Sequence, residues 1–399
     1  MSLKIDRKIA DIFFKHLVSV VALFSVLALG AILLFVFAQG SMPFFTSTNS
    51  NIRLVTQRID EITVNGITYL DHNTFIDIPK NTDFISIQFP AADGTEILDI
   101  KIDKNEKDPK KSLSFAYNSD VDISYPESYV YTVSWGAGIT ALQKRIHIIL
   151  PEPPYNIWSF IAGLKWRPDR DKVFGIFPMI IGTLMASFGA ILLGVPIAIF
   201  CALFIAEFLK PKYAVIIRSG VELLAGIPSV VYGFFGLMVI VPFVRTAFNI
   251  PSGNTLLSAI IVLALMILPT IITIAETSLR AVPMSVREAS LSLGASKMQT
   301  AWRVVLPHAN SGVIAGIILG ISRAVGETMA VILVAGNSPH LSFNPLSSIR
   351  TLTSTIAMEM GYASGRHSEM LFSIGVTLFT IILILNSFIL WFRRKMEYQ

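Results

Sequence analysis

The stretch GISRAVGETMAVILVAG (residues 320–336) places two charged side chains, Arg323 and Glu327, inside a long apolar run. Arginine presents a planar fork of N–H donors that matches the oxygens of an anion. At i and i+4 on one helix, the two side chains would share a face. Two interpretations stay open: an ion pair that locks helix packing, or a guanidinium that faces a path through the protein. A charge at mid-membrane costs about 2.5–3.5 kcal/mol, which favours a functional role.

The elements that must position these charges are apolar segments long enough to cross a membrane. Hydrophobic residues make up 53% of the 399-residue chain and charged residues 15%, whereas soluble proteins carry about 25% charged residues. A span needs about 20 apolar residues, and the candidates are residues 17–38, 176–207, 215–244, 255–279, 311–335 and 370–392. The first candidate is too long for the core of a signal peptide, so we expect a retained helix. The sequence predicts an all-α polytopic membrane protein with six transmembrane helices.

Lysine and arginine are concentrated in the loops on one side of these spans, and such loops face the cytoplasm. The basic residues on that side are Lys210, Lys212, Arg218, Arg280, Arg287, Lys297, Arg303, Arg393, Arg394 and Lys395. The opposite loops carry Arg245, Arg350 and Arg366. We therefore predict that both termini are cytoplasmic and that residues 40–174 lie outside.

Residues 40–160 differ in character from the rest of the chain, because short alternating runs there are separated by Asn, Asp, Gly and Pro. The runs cover residues 61–70, 74–78, 83–89, 96–102, 121–125, 129–135 and 144–150. Many short strands at close spacing predict a small antiparallel all-β domain, such as a sandwich, inserted into the helical protein. This insert is either a spacer or a docking surface for an extracytoplasmic partner, and the sequence leaves both interpretations open.

A helix break is predicted in the third span, within the stretch LAGIPSVVYG, at Gly226, Pro228 and Ser229. Proline removes a backbone donor and interrupts a helix. Inside a membrane, the freed backbone groups must be satisfied by protein or by a water-filled cavity. The break is therefore either part of an anion route or a plain packing kink.

The loop between the fourth and fifth spans has the spacing of two short helices. Ser285 with Glu288, and Ser296 with Gln299, are placed as capping boxes. Gly294 between them can adopt the left-handed conformation that ends a helix. The loop also carries more apolar side chains than a solvated loop needs, which indicates a surface for a partner. These side chains are Leu291, Leu293, Met298, Trp302 and Val305.

This loop, called here the elbow (residues 285–307), resembles the EAA loop of ABC importer permeases. That motif runs E-A-A, three residues, Gly, nine residues, Ile, any residue and Leu-Pro. The matching positions are Glu288, Ala289, Ser290, Gly294, Val304, Leu306 and Pro307. Two of them depart conservatively from the motif, Ser290 in place of alanine and Val304 in place of isoleucine.

The resemblance implies a MetI-like fold of type I ABC importers and an elbow that sits in a groove of a separate ATPase subunit. The coupling residues it implies are Glu288, Ala289, Gly294, Leu306 and Pro307. The chain contains no G-x-x-x-x-G-K-[ST] loop. We therefore expect ATP and Mg²⁺ to be bound by the partner, and this chain to have no cofactor, no metal site and no covalent catalysis.

Four further segments are similar to the phosphate-specific importer permease of the PstC type. They are GIFPMIIGTLMAS (175–187), VELLAGIPSVVYGFFG (221–236), RAVGETMAV (323–331) and RTLTSTIAME (350–359). The similarity is close over residues 160–399, loose over residues 1–39 and absent over the insert. It implies translocation of inorganic phosphate by alternating access, with Arg323 and Glu327 in the path. Glu327 would hold the guanidinium between transport events or accept a proton from HPO₄²⁻.

The same resemblance implies a homologous second permease of the PstA type as heterodimer partner, two copies of an ATP-binding subunit and an extracytoplasmic phosphate-binding protein. The setting would be the lipid bilayer of a bacterial inner membrane. The net charge is +5, and no basic block is dense enough to indicate nucleic acid. The predicted division is residues 1–39 for the cytoplasmic N-terminus and first helix, 40–160 for the insert and 161–399 for the transport core.

Three alternatives remain at this stage. A permease for another oxyanion or a phosphonate would share the elbow. An ion-coupled secondary carrier would work without an ATPase and should lack the elbow. A membrane enzyme would need a nucleophile or metal motif, and neither G-x-S-x-G nor H-E-x-x-H occurs in the chain.

Overall fold

The structure is a computed structural model that describes most of the chain. The described residues are 7–45, 51–57, 62–69, 75–79, 82, 84–91, 94–102, 113–117, 122–124, 130–135, 144–149, 154–168 and 172–397. The predicted basic cluster Arg393, Arg394 and Lys395 is described only as helical backbone.

Helices dominate the described residues outside the insert. They are α1 (Arg7–Phe45), α2 (Ile157–Ala162), α3 (Phe177–Leu203), α4 (Pro211–Ala225), α5 (Ser229–Phe235), α6 (Val241–Ala247), α7 (Leu256–Arg280), α8 (Met284–Ser292), α9 (Lys297–Thr300), α10 (Leu306–His308), α11 (Asn310–Gly326), α12 (Met329–Val334), α13 (Leu352–Glu359) and α14 (Arg366–Glu397). Three π-helical segments connect neighbouring helices: Phe204–Phe208, Gly236–Ile240 and Ala301–Val305.

The insert consists of antiparallel strands, as the alternating runs predict. The strands are β1 (Asn51–Gln57), β2 (Ile62–Val64), β3 (Ile67–Tyr69), β4 (Phe75–Pro79), β5 (Phe84–Ala91), β6 (Gly94–Ile102), β7 (Leu113–Tyr117), β8 (Asp122–Ser124), β9 (Val130–Trp135) and β10 (Lys144–Ile149). They form two five-stranded sheets of order β4-β1-β10-β9-β8 and β3-β2-β5-β6-β7. All seven predicted runs contain a strand, whereas β1 and β7 were not predicted. A short hairpin of β11 (Trp166–Arg167) and β12 (Val173–Phe174) follows the insert.

The strands of the insert alternate between a buried and an exposed face. In β5, Ile85 and Ile87 are fully buried, whereas Phe84 and Gln88 are exposed. This is the two-residue period expected of a strand with one face packed inside. The alternation visible in the sequence therefore indicates the true inward face.

Five helical segments among the described residues are long and apolar enough to cross a membrane. They are Lys15–Phe45, Phe177–Phe208, Ser229–Ala247, Leu256–Arg280 and Arg366–Trp391. A sixth results if the pair Lys297–His308 and Asn310–Gly326, bent by 73°, counts as one span. The six predicted spans thus correspond to helices, but the third (residues 215–244) and the fifth (residues 311–335) have limits that differ from the prediction.

The third predicted span, residues 215–244, has the wrong limits, because the predicted break divides it into two helices. Helix α4 ends at Ala225 and α5 begins at Ser229, with Pro228 as its N-cap residue. The spanning segment is therefore Ser229–Ala247, and α4 is a separate helix. Proline at this position has no N–H to donate to the preceding turn, which ends the hydrogen-bonded ladder of α4.

Helix α7 lies at the centre of the helical core, where it packs against α3 and α11. Gly312, Gly316 and Gly320 of α11 face α7, and a Cβ atom added to Gly320 would lie 2.7 Å from Cδ1 of Ile271. The three glycines form a stripe of small residues along the contact. It allows the two backbones to approach closely, as small residues do between membrane helices.

Helix α1 packs along α14 at the edge of this core. The ring of Phe35 contacts that of Phe372 at a centroid distance of 5.7 Å, and Phe37 contacts Phe379 at 5.6 Å. Most other apolar side chains between Leu17 and Phe37 are exposed. An apolar helix with so much exposed surface is suited to contact with lipid.

Candidate functional site

The first candidate site surrounds Arg323, which lies half-buried in the last turn of α11. Its Nη1 atom donates a hydrogen bond of 3.1 Å to Oγ1 of Thr270 on α7. Among the described residues we find no carboxylate within ion-pair distance of this guanidinium. Since arginine carries five N–H donors, most of its donor fork stays available to an anion.

Glu327 lies directly after the end of α11 and does not continue the helix. Its backbone is extended, with φ −69° and ψ 133°. Its Oε1 atom accepts a hydrogen bond of 3.1 Å from the N–H of Ala330, in the first turn of α12. Its carbonyl oxygen accepts one of 2.8 Å from Oγ1 of Thr353 on α13. Glu327 therefore caps α12, where a carboxylate is stabilised by the helix dipole.

The prediction that Arg323 and Glu327 share one helix face is wrong. Residues four apart face the same way only in an unbroken helix, and α11 ends at Gly326. The structure therefore separates the two roles. Arg323 is held by Thr270, and Glu327 stabilises the helix break.

The break at Gly226, Pro228 and Ser229 is where the sequence predicts it. Gly226 follows the last residue of α4, and Ser229 is the first residue of α5. The hydroxyl of Tyr232 donates a hydrogen bond of 2.8 Å to the carbonyl oxygen of Leu224, across the break. The same carbonyl also accepts from the backbone N–H of Ile227 at 3.2 Å, so Tyr232 adds a second hydrogen bond at the break. The sequence gives no signal for this role of Tyr232.

The elbow forms two short helical arms that meet at Gly294. Gly294 has φ +84°, the left-handed region that its position was predicted to need. The capping box of Ser296 and Gln299 is confirmed, with hydrogen bonds of 2.8 and 3.2 Å. The one predicted at Ser285 and Glu288 is wrong, because α8 begins at Met284 with Pro283 as its N-cap residue, so Ser285 lies inside the helix.

Several elbow side chains present apolar surface to the outside. Leu293 is 90% exposed and Met298 63%, whereas Leu291 and Trp302 are each 45% exposed. Val305, predicted to belong to this surface, is fully buried in the core beneath the elbow. Of the predicted coupling residues, Glu288, Ala289, Gly294 and Pro307 are exposed and Leu306 is half-buried. Most of the elbow residues predicted to contact a partner are thus exposed on the surface of the described protein.

Two carboxylates near the elbow, Glu276 buried and Glu207 half-buried, were not recognised from the sequence. Glu276 on α7 is 3% exposed and binds Arg218 at 2.6 Å and also Arg280. Glu207 pairs with Arg287 of the elbow at 2.9 Å. Only the four-residue spacing of Glu276 and Arg280 could have indicated a pair. The other partners come from distant parts of the chain.

A third carboxylate, which is buried, lies at the opposite end of the helices. Glu359, the last residue of α13, accepts hydrogen bonds from Nη1 of Arg350 at 2.7 Å and from Nε1 of Trp166 at 2.9 Å. The ring Nε2 of His367 lies 2.8 Å from Oε2 of Glu359, the oxygen that also accepts from Trp166. The N-cap residue of α13 is Thr351, which forms a capping box with Ser354.

Three features define the class of the protein: apolar helices that cross a membrane several times, a helix break beside a guanidinium with no carboxylate partner among the described residues, and an exposed apolar elbow. It is a multi-pass membrane transport subunit. The chain belongs to the family of binding-protein-dependent transport system inner membrane components, whose model matches residues 194–398. It is accordingly a multi-pass protein of the inner membrane.

Curated relatives are similar over most of their own length. A protein of Bacillus subtilis named probable ABC transporter permease protein YqgH is 37% identical over 223 residues, which cover 55% of this chain and 72% of that protein. The phosphate transport system permease protein PstC of Pasteurella multocida is 34% identical over 249 residues, or 58% of this chain and 78% of the relative. The PstC protein of Xylella fastidiosa is 35% identical over 242 residues, covering 56% and 74%.

Solved structures of ABC transporters are similar at lower identity. The MetNI methionine transporter aligns at 20% identity and a TM-score of 0.40, over 56% of this chain and 92% of that chain. A bacterial transporter involved in alginate import aligns at 15% identity and a TM-score of 0.44, over 55% and 78%.

Proposed function

We propose that this chain is the permease subunit of an ATP-driven importer, and that it translocates inorganic phosphate by alternating access. The observation that carries the proposal is a guanidinium inside the membrane core without a carboxylate partner among the described residues, in a chain similar to PstC proteins. A permanently charged fork of donors suits a phosphate oxyanion. Placing a charge inside the membrane costs free energy, and an apolar residue would suffice for packing. The charge would therefore be retained for transport.

The path would run past the two helix breaks. Arg323 would bind phosphate oxygens transiently while Thr270 holds the guanidinium. Glu327, which caps α12, follows Arg323 by four residues. Its carboxylate would repel a phosphate bound to Arg323, so that the phosphate passes on and does not stay bound. The break at Gly226–Ser229 would line the same route. Unpaired backbone N–H groups at such breaks are suited to anions.

The partners would be a homologous permease of the PstA type, two copies of an ATP-binding subunit and an extracytoplasmic phosphate-binding protein. The elbow, through Glu288, Ala289, Gly294, Leu306 and Pro307, would dock on the ATP-binding subunit. ATP and Mg²⁺ would be held by that subunit. Both termini and the elbow would be cytoplasmic, with the β-rich insert outside, since the basic loops lie on the elbow side.

Transport by the reconstituted complex tests this proposal. With the binding protein present, we expect uptake of radiolabelled phosphate into proteoliposomes that depends on ATP hydrolysis and resists excess sulfate or methylphosphonate. Competition by sulfate or methylphosphonate would instead assign the site to another oxyanion or to phosphonates. Uptake driven by a proton or sodium gradient without ATP would contradict the ATP-driven mechanism and favour a secondary carrier.

The glycine of the elbow gives a separate prediction. Gly294→Val should reduce phosphate uptake per ATP hydrolysed by about tenfold, because a β-branched residue at φ +84° costs about 1–3 kcal/mol and distorts the docking surface. Gly294→Asn is the matched control, since asparagine tolerates the left-handed region, and it should stay near wild type. Measuring ATPase and uptake rates on the same complexes checks this. Equal coupling in the valine and asparagine variants would contradict docking through this corner.

A further inference from the structure

A half-buried arginine of the elbow joins the ends of two membrane helices. Arg287 lies in α8, and its Nη2 atom donates hydrogen bonds of 2.9 Å to Oε1 of Glu207 and 2.7 Å to the carbonyl oxygen of Leu279. Its Nε atom lies 3.2 and 3.3 Å from the two oxygens of the same carboxylate, and Nη1 donates to the carbonyl oxygen of Val282. One guanidinium thus connects the elbow with the end of α7 and with the π-helical segment that follows α3.

This ion pair is shielded from water. The side chain of Arg287 is 14% exposed and that of Glu207 9%. Exposed ion pairs contribute little because water and salt screen them. A shielded pair is different, since removing one partner leaves the other charge buried without compensation. The geometry of the elbow against the helix ends is therefore strongly fixed at this point.

The second arm of the elbow contacts the same end of α3. The indole of Trp302 stacks on the ring of Phe200 with a centroid distance of 5.4 Å and an interplanar angle of 15°. The ammonium of Lys297 lies 5.8 Å from the ring centroid of Phe208. Stacking and cation–π contacts each add to the attachment. Both arms of the elbow are thus attached to residues 200–208.

The attachment continues toward the candidate path. Leu279, whose carbonyl Arg287 holds, lies on α7 together with Thr270, the hydrogen-bond partner of Arg323. Nine residues of α-helix between them correspond to about 14 Å. Glu207 lies in a π-helical segment, a rare conformation that occurs frequently at functional sites. A rigid connection therefore runs from the elbow surface to the residue that holds Arg323.

We propose that Arg287 is a positioning residue for transport and that its pair with Glu207 makes the elbow move as one body with the ends of α3 and α7. This inference rests on the proposed function, because the force on the elbow would come from the ATP-binding subunit. Arg287 contacts no substrate. It acts through α7 on Thr270 and through Glu207 on α3.

The test compares variants in the reconstituted complex with its ATP-binding subunits and binding protein. Arg287→Gln and Glu207→Gln should hydrolyse ATP but import at least about tenfold less phosphate per ATP, since the elbow would move without its helices. Arg287→Lys, which keeps a charge for Glu207, should be intermediate. Arg245→Gln removes an exposed arginine at the end of α6 and should behave as wild type. An unchanged amount of phosphate imported per ATP in Arg287→Gln would overturn the proposal. A proportional loss of the ATP hydrolysis rate and the phosphate uptake rate, together with poor assembly of the complex, would also overturn it.

Hydrogen exchange separates the attachment from the transport function. In the same purified complex, Arg287→Gln should speed amide exchange in both Phe204–Phe208 and Met284–Ser292, whereas Arg245→Gln should not. Unchanged exchange in both segments would overturn the attachment, whatever the transport result. A wild-type complex without ATP-dependent phosphate uptake would overturn the proposed function instead.

Discussion

Arg323→Gln should lower ATP-dependent phosphate uptake by about 100-fold or more, while the complex with the ATP-binding subunits still assembles. Hydrogen bonds to charged groups contribute about 1.5–3 kcal/mol each, and the guanidinium offers at least two of them to an oxyanion. Glutamine keeps a polar side chain of similar reach but loses the charge and the fork. Since Arg323 binds the rest of the described protein only through Thr270, its loss leaves no buried carboxylate unpaired.

Two companion variants sharpen this prediction. Arg323→Lys keeps the charge without the planar fork and should retain part of the uptake. Thr270→Val removes the hydroxyl that holds Arg323 at 3.1 Å while nearly preserving the volume of the side chain. It should lower uptake less than Arg323→Gln does, because the guanidinium remains present but less well oriented.

Measured rates of radiolabelled phosphate uptake, normalised to assembled complex, decide the matter. Normal uptake in Arg323→Gln would show that the charge serves packing and not the path. Glu327→Gln provides a contrast, because an amide oxygen can still accept the N–H of Ala330. If this variant lost uptake while Arg323→Gln kept it, the anion route would have to be assigned to the carboxylate side of the helix break.

Glu359→Ala should destabilise the protein by about 3–5 kcal/mol, the largest stability effect that we expect from a single substitution here. The carboxylate is 5% exposed and binds Arg350, Trp166 and His367 at once. Its removal would leave the guanidinium of Arg350, itself 14% exposed, without its counter-charge. It would also detach β11 from the end of α13, since Trp166 donates to the same carboxylate.

Thermal unfolding of the detergent-purified protein, followed by size-exclusion chromatography after heating, measures this effect. Glu359→Gln should be milder, because an amide can still accept hydrogen bonds from Trp166 and Arg350. Glu222→Ala is the matched control: Glu222 is exposed on α4, and substitutions of this kind usually change stability by less than about 0.5 kcal/mol. Equal unfolding midpoints for Glu359→Ala and Glu222→Ala would show that the network at Glu359 contributes nothing to stability.

The sequence by itself determined the features that depend on a few neighbouring residues. The apolar runs marked the membrane helices, and seven alternating runs marked eight of the ten described strands of the insert. The left-handed Gly294 and the capping box of Ser296 and Gln299 were also readable. Local conformation, burial period and capping are decided within one or two turns of chain, so pattern alone could identify them.

Only the tertiary structure decided which charges meet. Arg287 and Glu207 are 80 residues apart in sequence, and Trp166 and Glu359 are 193 apart. Such pairs form where packing brings distant helices and strands together, so the spacing of residues in the sequence cannot predict them. The break after Gly326 is of the same kind, because Thr353 from α13 stabilises the interrupted backbone. The helix that the sequence predicted as continuous therefore ends at Gly326, where the hydroxyl of Thr353 donates to the carbonyl oxygen of Glu327. This break separates Arg323 from Glu327.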